Sequence, residues 1–259
     1  MLARGRSEAP GAEVVQADIA DTTAVAEAAR DCRAVIHLVG IIRERRGASF
    51  RRVHVEGTRS VIDGCREAAV PRLLYMSALG ARPDARSRYH RTKWQAEDLI
   101  RESGLQTTVF RPSVIFGAGG SFLPQIRNLV QRAPMVPIPG SGMNLIQPVW
   151  VEDVVSCFVG ALDSAGTVGR SYALGGPETY GFEQLVDVIA EADGVEVVKV
   201  HLPIALLRPA VAVLSRIIPG FPLTSDQLAM LLEDSACDIT EMRETFGVEP
   251  APLQEHVRE

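Results

Sequence analysis

The chain of 259 residues has few of the features that mark several classes of protein. Its four cysteines, Cys32, Cys65, Cys157 and Cys237, form no C-x-x-C pair, so neither zinc nor a disulfide framework is suggested. Cys32, Cys65 and Cys157 lie in apolar-periodic segments, as small core residues do, and a reducing cytoplasm fits them. There is no excess of positive charge. The net charge of −5 argues against a nucleic-acid partner, and the arginines at 43, 45, 46, 51 and 52 read as a solvated loop and helix start. No apolar run approaches the length of a membrane span. The greasiest segment, residues 203–221, is interrupted by Arg208, Pro209 and Arg216 and reads as a buried or interfacial helix pair. The basic residues at the N-terminus have no apolar stretch behind them, so no secretory signal is expected. His37 and His54 have no second ligand at metal spacing, so no metal site is expected.

What is present is an alternation. AEVVQADI (12–19), AVIHLVG (34–40), RLLYMSA (72–78) and TTVFRPSVIFG (107–117) are short, β-branched-rich runs that read as buried parallel strands. Between them TTAVAEAARD, SFRRVHVEGTRSVIDGCREAA and SRYHRTKWQAEDLIRESG carry helical periodicity, the last stopped by Gly104. Strand–helix alternation implies βαβ units, hence an α/β, Rossmann-type, doubly wound parallel sheet. Further on, 122–132, WVEDVVSCFVGAL and FEQLVDVIAEADG read as helices, RSYALGGP and VEVVKVHLP as strands, and the Pro/Gly-rich 134–148 as loop. Residues 1–202 form one expected domain and 203–259 a small, mostly helical C-terminal lobe.

Within α-helical SRYHRTKWQ, Tyr89 and Lys93 stand four apart and share a face. A Lys ammonium beside a phenol lowers the Tyr pKa, which suits a general acid or base. Glu152 and Asp153 read as helix-start residues.

In order, QADI at Asp18, HLVG ending at Gly40, HVEGT (54–58), YMSALGA (75–81), YHRTK (89–93), FRPSVIFG (110–117) and PVWVEDV (148–154) resemble the extended, atypical short-chain dehydrogenase/reductase superfamily, the NAD-dependent epimerase/dehydratase family. With LTSDQLAMLLEDS, they look most like bacterial relatives of the dinucleotide-binding accessory subunit of respiratory complex I. The resemblance implies NADP or NAD as cofactor. It points to Asp18 and Ile19 at the adenine side, Leu38, Val39 and Gly40 under the cofactor, Tyr89 and Lys93 at the nicotinamide ribose, and Pro112, Ser113 and Val114 at the nicotinamide end. Arg4 or Arg6 would meet a 2′-phosphate, which favours NADP.

Two departures qualify the expected chemistry. The hydroxyl that assists the Tyr–Lys pair in catalytic members would fall near Leu79, which can neither donate nor accept a hydrogen bond, and His54 stands where Asn is common. The family's opening strand and G-x-x-G-x-x-G loop have no counterpart before QADI, so a sheet truncated at its N-terminus is expected. The function implied is an NAD(P)-binding or assembly subunit linked to complex I or quinone metabolism, cytoplasmic or at the periphery of the inner membrane face beside respiratory-chain subunits. The alternative is an oxidoreductase or epimerase that uses Tyr89 and Lys93 as catalytic residues.

Overall fold

The computed structural model describes residues 1–3, 11–120, 122–132, 135–218, 221 and 223–257. Its first elements are β1 (Leu2–Ala3), β2 (Val15–Gln16), α1 (Thr22–Ala29), β3 (Ala34–His37), a π-helical turn (Arg51–Glu56) running into α2 (Gly57–Glu67), β4 (Arg72–Met76), α3 (Arg88–Arg101) and β5 (Gln106–Pro112). Then come β6 (Ile115–Phe116), α4 (Phe122–Arg132), β7 (Met135–Pro139), β8 (Leu145–Ile146), β9 (Val149–Trp150), α5 (Val151–Leu162) and β10 (Arg170–Leu174). The last are β11 (Tyr180–Gly181), α6 (Phe182–Asp193), β12 (Val198–Leu202), α7 (Ile204–Ile217), α8 (Ser225–Leu231), α9 (Thr240–Phe246) and α10 (Leu253–His256). Two compact units divide the chain: Met1–Arg111 with Phe158–Tyr172, and Pro112–Cys157 with Ala173–Glu259. The expected boundary after residue 202 falls inside the second unit.

In the first unit the apolar runs form a parallel sheet in the order β10–β5–β4–β3, with Ile36 opposite Leu74 and Leu74 opposite Thr108. Side chains alternate across it. Leu73, Tyr75 and Val109 join Val25, Val61, Ile62, Cys65, Ala96 and Ile100 from α1, α2 and α3 on one face. Phe110 points the other way and meets Phe158, in the last turns of α5, with ring centroids 4.2 Å apart. Helices on both faces of parallel strands make this a doubly wound Rossmann-like sheet. Of the run 12–19 only Val15–Gln16 is strand, and it pairs with β1.

The second unit gathers α4, α6 and α10 around a core that includes Ile126, Val136, Ile138, Leu185, Ile189 and Leu253. Three expectations need correction here or nearby. Residues 134–148 are not all loop: β7 pairs in parallel with β12. The prolines fit because Gly140 N–H donates to Leu202 O at 2.9 Å, so even-numbered amides face β12 and the odd positions Pro137 and Pro139 face away. Among the described residues, the segment 203–221 contains not a helix pair but one helix, α7, running through Pro209. Cys65 and Cys157 are core residues, but Cys32 is exposed. It lies beyond the end of α1, where Asp31 takes φ 63° and turns the chain outward. Among the described residues no helix is long and apolar enough to cross a membrane.

Candidate functional site

The carboxyl ends of β3 and β4 carry the most informative geometry. Leu38, exposed, and Val39, packed on the core, lead from β3 to Gly40. A Cβ at Gly40 would lie 3.2 Å from Lys93 Nζ and 3.6 Å from His54 Nε2. Any side chain there would occupy the space over those two groups.

Helix α3 brings up the facing side chains. Ser87 caps it by accepting the His90 N–H at 3.1 Å, and the His90 ring sits where a Cβ on Gly80 would come within 2.4 Å of it. This close approach sets the start of α3 against the loop after β4. Lys93 and Glu97, four apart, are both buried. Lys93 Nζ donates to the Met76 carbonyl, the last of β4, at 2.8 Å and lies 5.0 Å from the Tyr75 ring centroid. Burial lowers the Lys93 pKa to about 8, with Glu97 opposing the shift. Tyr89 is half-buried, edge-on to Phe50 and to His54 at 5.9 and 5.4 Å. Burial pushes its phenol up to about 12. The lowering expected from a neighbouring ammonium is therefore not seen, because desolvation dominates and Lys93 is engaged by Met76.

The sequence reading gave His54 no role in this cluster, yet the structure puts it at the centre. Thr92 Oγ1 lies 2.9 Å from the carbonyls of Arg88 and Tyr89, where its proton is donated. His54 Nδ1 lies 2.9 Å from that oxygen. Nε2 lies 3.1 Å from both the Ile41 nitrogen, whose proton it can accept, and the Ile41 carbonyl, to which it can donate, according to the tautomer. One neutral imidazole thus ties the residue after Gly40 to α3. Burial and then the Lys93 charge hold His54 down to about 3. His37 is also held at about 3, first by burial and then by the same charge. Its Nε2 meets Thr58 Oγ1 at 3.0 Å, while its buried Nδ1 has no partner. The signal for His54 was its place in HVEGT.

Other expected residues have different surroundings. Ser77 donates to Glu97 at 2.5 Å, and Glu97 also takes Arg111 at 3.0 and 2.5 Å and Arg101 at 3.2 Å, so that hydroxyl is occupied. Leu79 is half-buried and offers no polar atom. Asp18 accepts the Ala20 N–H at 3.0 Å and pairs with Arg52 of the π-helical turn at 3.3 Å; α1 is capped by Asp21. Ile19 packs in the core under Gly57, where a Cβ would come 2.9 Å from its Cγ2. Arg4 and Arg6 lie outside the described residues. Pro112, Ser113 and Val114 belong to the second unit. There the Ser113 hydroxyl meets the Ser235 carbonyl at 2.8 Å and its hydroxyl at 2.9 Å, and Val114 O accepts the Val149 N–H at 2.9 Å. Ser235, which closes LTSDQLAMLLEDS, was not singled out from sequence.

The structure therefore brings together Gly40, Tyr89 and Lys93, with His54, Phe50 and Met76 added. This set fits the ribose end of a nicotinamide dinucleotide. Lys93 has three donors and spends one on Met76, and the missing Cβ at Gly40 leaves room over it. Ligands of open α/β sheets bind at this carboxyl edge.

Residues 3–119 match the family described as NAD(P)H-binding. The mouse NADH dehydrogenase [ubiquinone] 1 alpha subcomplex subunit 9, mitochondrial, is 28% identical over 92% of this chain and 63% of its own length. The 3beta-hydroxysteroid-dehydrogenase/decarboxylase isoform 1 of Arabidopsis thaliana is 27% identical over 95% of this chain and 65% of its own. A nucleoside-diphosphate-sugar epimerase from Staphylococcus aureus superposes with a TM-score of 0.77, covering 100% of this chain and 89% of that one at 17% identity. The chain spans between about half and two-thirds of the length of the NADH dehydrogenase subunits it matches. Fold and matched domain define an NAD(P)-binding protein of the Rossmann class. Over residues 3–119 the chain matches the NAD(P)H-binding family, and it is similar to these NADH dehydrogenase subunits.

Proposed function

We propose that the protein holds NADP or NAD as a binding or assembly subunit linked to respiratory complex I or quinone metabolism, without turning over a substrate. Its place is the cytoplasmic side, peripheral at the inner membrane face beside respiratory-chain subunits, as its likeness to NADH dehydrogenase subunits suggests. Lys93 and Tyr89 would hold the nicotinamide ribose, with Gly40, Val39 and Leu38 beneath the cofactor. Asp18 and Ile19 would lie at the adenine side, and Pro112, Ser113 and Val114 at the nicotinamide end. Bound there, the dinucleotide would supply hydride chemistry. The observation that carries the non-catalytic reading is the state of the proton-transfer groups: Tyr89 is raised to about 12, Ser77 is locked on Glu97, and Leu79 stands at the helper position.

The second reading is an NAD(P)-dependent oxidoreductase or epimerase with Tyr89 as acid/base. The half-buried Tyr89 and buried Lys93, four apart on α3, and the steroid dehydrogenase relative favour it.

Fluorescence titration with NADH and NADPH separates the two. On the binding reading, Tyr89→Phe costs about 0.5–1.5 kcal/mol of affinity and Lys93→Met about 1.5–3 kcal/mol, because a charged donor is lost. On the enzyme reading, some carbonyl or sugar nucleotide is turned over by wild type, and Tyr89→Phe slows it roughly 10²–10⁴-fold with cofactor affinity intact. That result would overturn the binding-subunit conclusion.

A further inference from the structure

The arginine cluster at 43–52 is a charged feature that the nucleotide site leaves unused. Residues 41–52 hold five arginines and one glutamate, a net +4 in a chain of −5, so the remainder carries −9. The structure gives this segment a fixed shape. Arg45 and Ala48 close a tight turn, each N–H donating to the other's carbonyl at 3.0 and 2.9 Å, with Gly47 at φ 79°. Both feet of the hairpin are anchored. Ile41 meets His54 Nε2 at 3.1 Å, and the Phe50 N–H donates to Glu44 at 2.9 Å, which also takes Arg88 at 2.7 Å. The Phe50 ring is buried against His54 and Tyr89. Glu44, the acid of the segment, is thus spent at its base. At the tip Arg45 and Arg46 are exposed, and neither has a carboxylate partner among the described residues. The second unit carries a counterpart. A groove of about 450 Å³ along α6 and α10 is lined by Val188, Ala192 and Val257, which are not exposed, and by Gln254, Glu191 and Glu255, which are. Neither glutamate has a cationic partner among the described residues. Glu191 also stands in the last turn of α6, which holds no basic residue, so the negative end of the helix dipole adds to its charge.

We propose that Arg45 and Arg46 of one molecule enter the α6–α10 groove of a second copy of this chain, the two guanidinium groups meeting Glu191 and Glu255. A convex cationic turn meets a concave anionic groove, two charges against two. The apolar part of the lining receives the arginine stems. The closed turn and its anchored feet leave little backbone freedom to lose on docking. A lipid bilayer fits less well. The tip, residues 45–48, has no large apolar side chain to insert, and an anionic membrane would also face a surface that carries −9.

The test is sedimentation velocity of the full chain over a concentration series at low and high salt. Wild type should self-associate, and about tenfold more weakly in about 0.5 M sodium chloride, because exposed charge pairs are screened. Arg45→Glu with Arg46→Glu should abolish association. Glu191→Lys with Glu255→Lys should do the same, since each variant sets like charges against like. An equimolar mixture of the two variants should associate again, because every hairpin then faces a groove of opposite charge. All four side chains are exposed, so circular dichroism should match wild type. A wild type that stays monomeric throughout the series, variants that associate like wild type, or a mixture that stays monomeric would each overturn the proposal. A monomeric wild type that floats with phosphatidylglycerol vesicles, and no longer does so after Arg45→Glu with Arg46→Glu, would give the hairpin to lipid instead.

Discussion

Strand β4 begins and ends beside a buried cation, and the two ends treat it in opposite ways. At the amino end Arg72 is closed in. Its guanidinium donates to Gln106 O at 2.9 Å, Thr108 Oγ1 at 2.8 Å, Ala161 O at 2.6 Å and Thr167 Oγ1 at 2.9 Å, with no carboxylate among these acceptors. At the carboxyl end Lys93 has the Met76 carbonyl, two histidines that stay neutral, and space left by Gly40. The first arrangement satisfies a charge and fastens β4 to β5 and to residues 161 and 167. The second keeps a charge with donors to spare. A buried polar group without enough partners costs stability, so where one persists its position marks the part of the sheet arranged for a ligand.

The largest effect should come from opening the closed end. Arg72→Met removes the donor shared by two carbonyls and two threonine hydroxyls in the core and should cost about 3–5 kcal/mol in urea unfolding. Lys93→Met should do the reverse: unfolding stability unchanged or raised by about 1 kcal/mol, while cofactor affinity falls, because an incompletely paired buried charge is replaced by a similar apolar volume. Equal destabilisation by the two substitutions would erase the contrast.

Acid should act on the open end next. His37 and His54 stay neutral in the fold down to about 3, whereas in the unfolded chain they charge at about 6.5. Below pH 6.5 the unfolded state takes up protons that the fold refuses, so their contribution, complete above that pH, is lost progressively toward pH 3. Each buried histidine adds a slope of about 1.4 kcal/mol per pH unit in that window. Urea midpoints measured from pH 7 to 5 should fall for wild type and fall less steeply for His54→Asn. Parallel curves would show that His54 is not held neutral.

The strands β3, β4 and β5 and the helices α1, α3, α4, α5 and α6 were legible because each is a continuous run with one period and clear stops. β7 was not, because its prolines read as loop; the two-stranded pairing that leaves their nitrogens on the free edge is a tertiary fact. Pro209 misled for a similar reason, since one lost amide in α7 did not break the helix. At the site, the Tyr89–Lys93 spacing and Gly40 could be read from motifs. The direction of the phenol's shift could not, because it depends on how deeply the ring is desolvated. Nor could the His54 bridge, which joins residues 41, 54 and 92 through side-chain contacts that no local pattern encodes.

The smallest change to the fold should be the most informative about the site. Gly40→Ala adds one methyl group 3.2 Å from Lys93 Nζ, the far end of a flexible side chain that can yield. Its unfolding free energy should therefore stay within about 0.5 kcal/mol of wild type. Gly80→Ala is the counterexample, because its methyl would drive 2.4 Å into the His90 ring, which packing cannot easily displace, and it should be clearly destabilising. If the space over Lys93 is where the dinucleotide lies, Gly40→Ala should still lose affinity by about tenfold, or 1.4 kcal/mol, despite its intact fold. Tight binding of NADH and NADPH by Gly40→Ala would place the cofactor away from Lys93 and leave the open end of β4 without its proposed occupant.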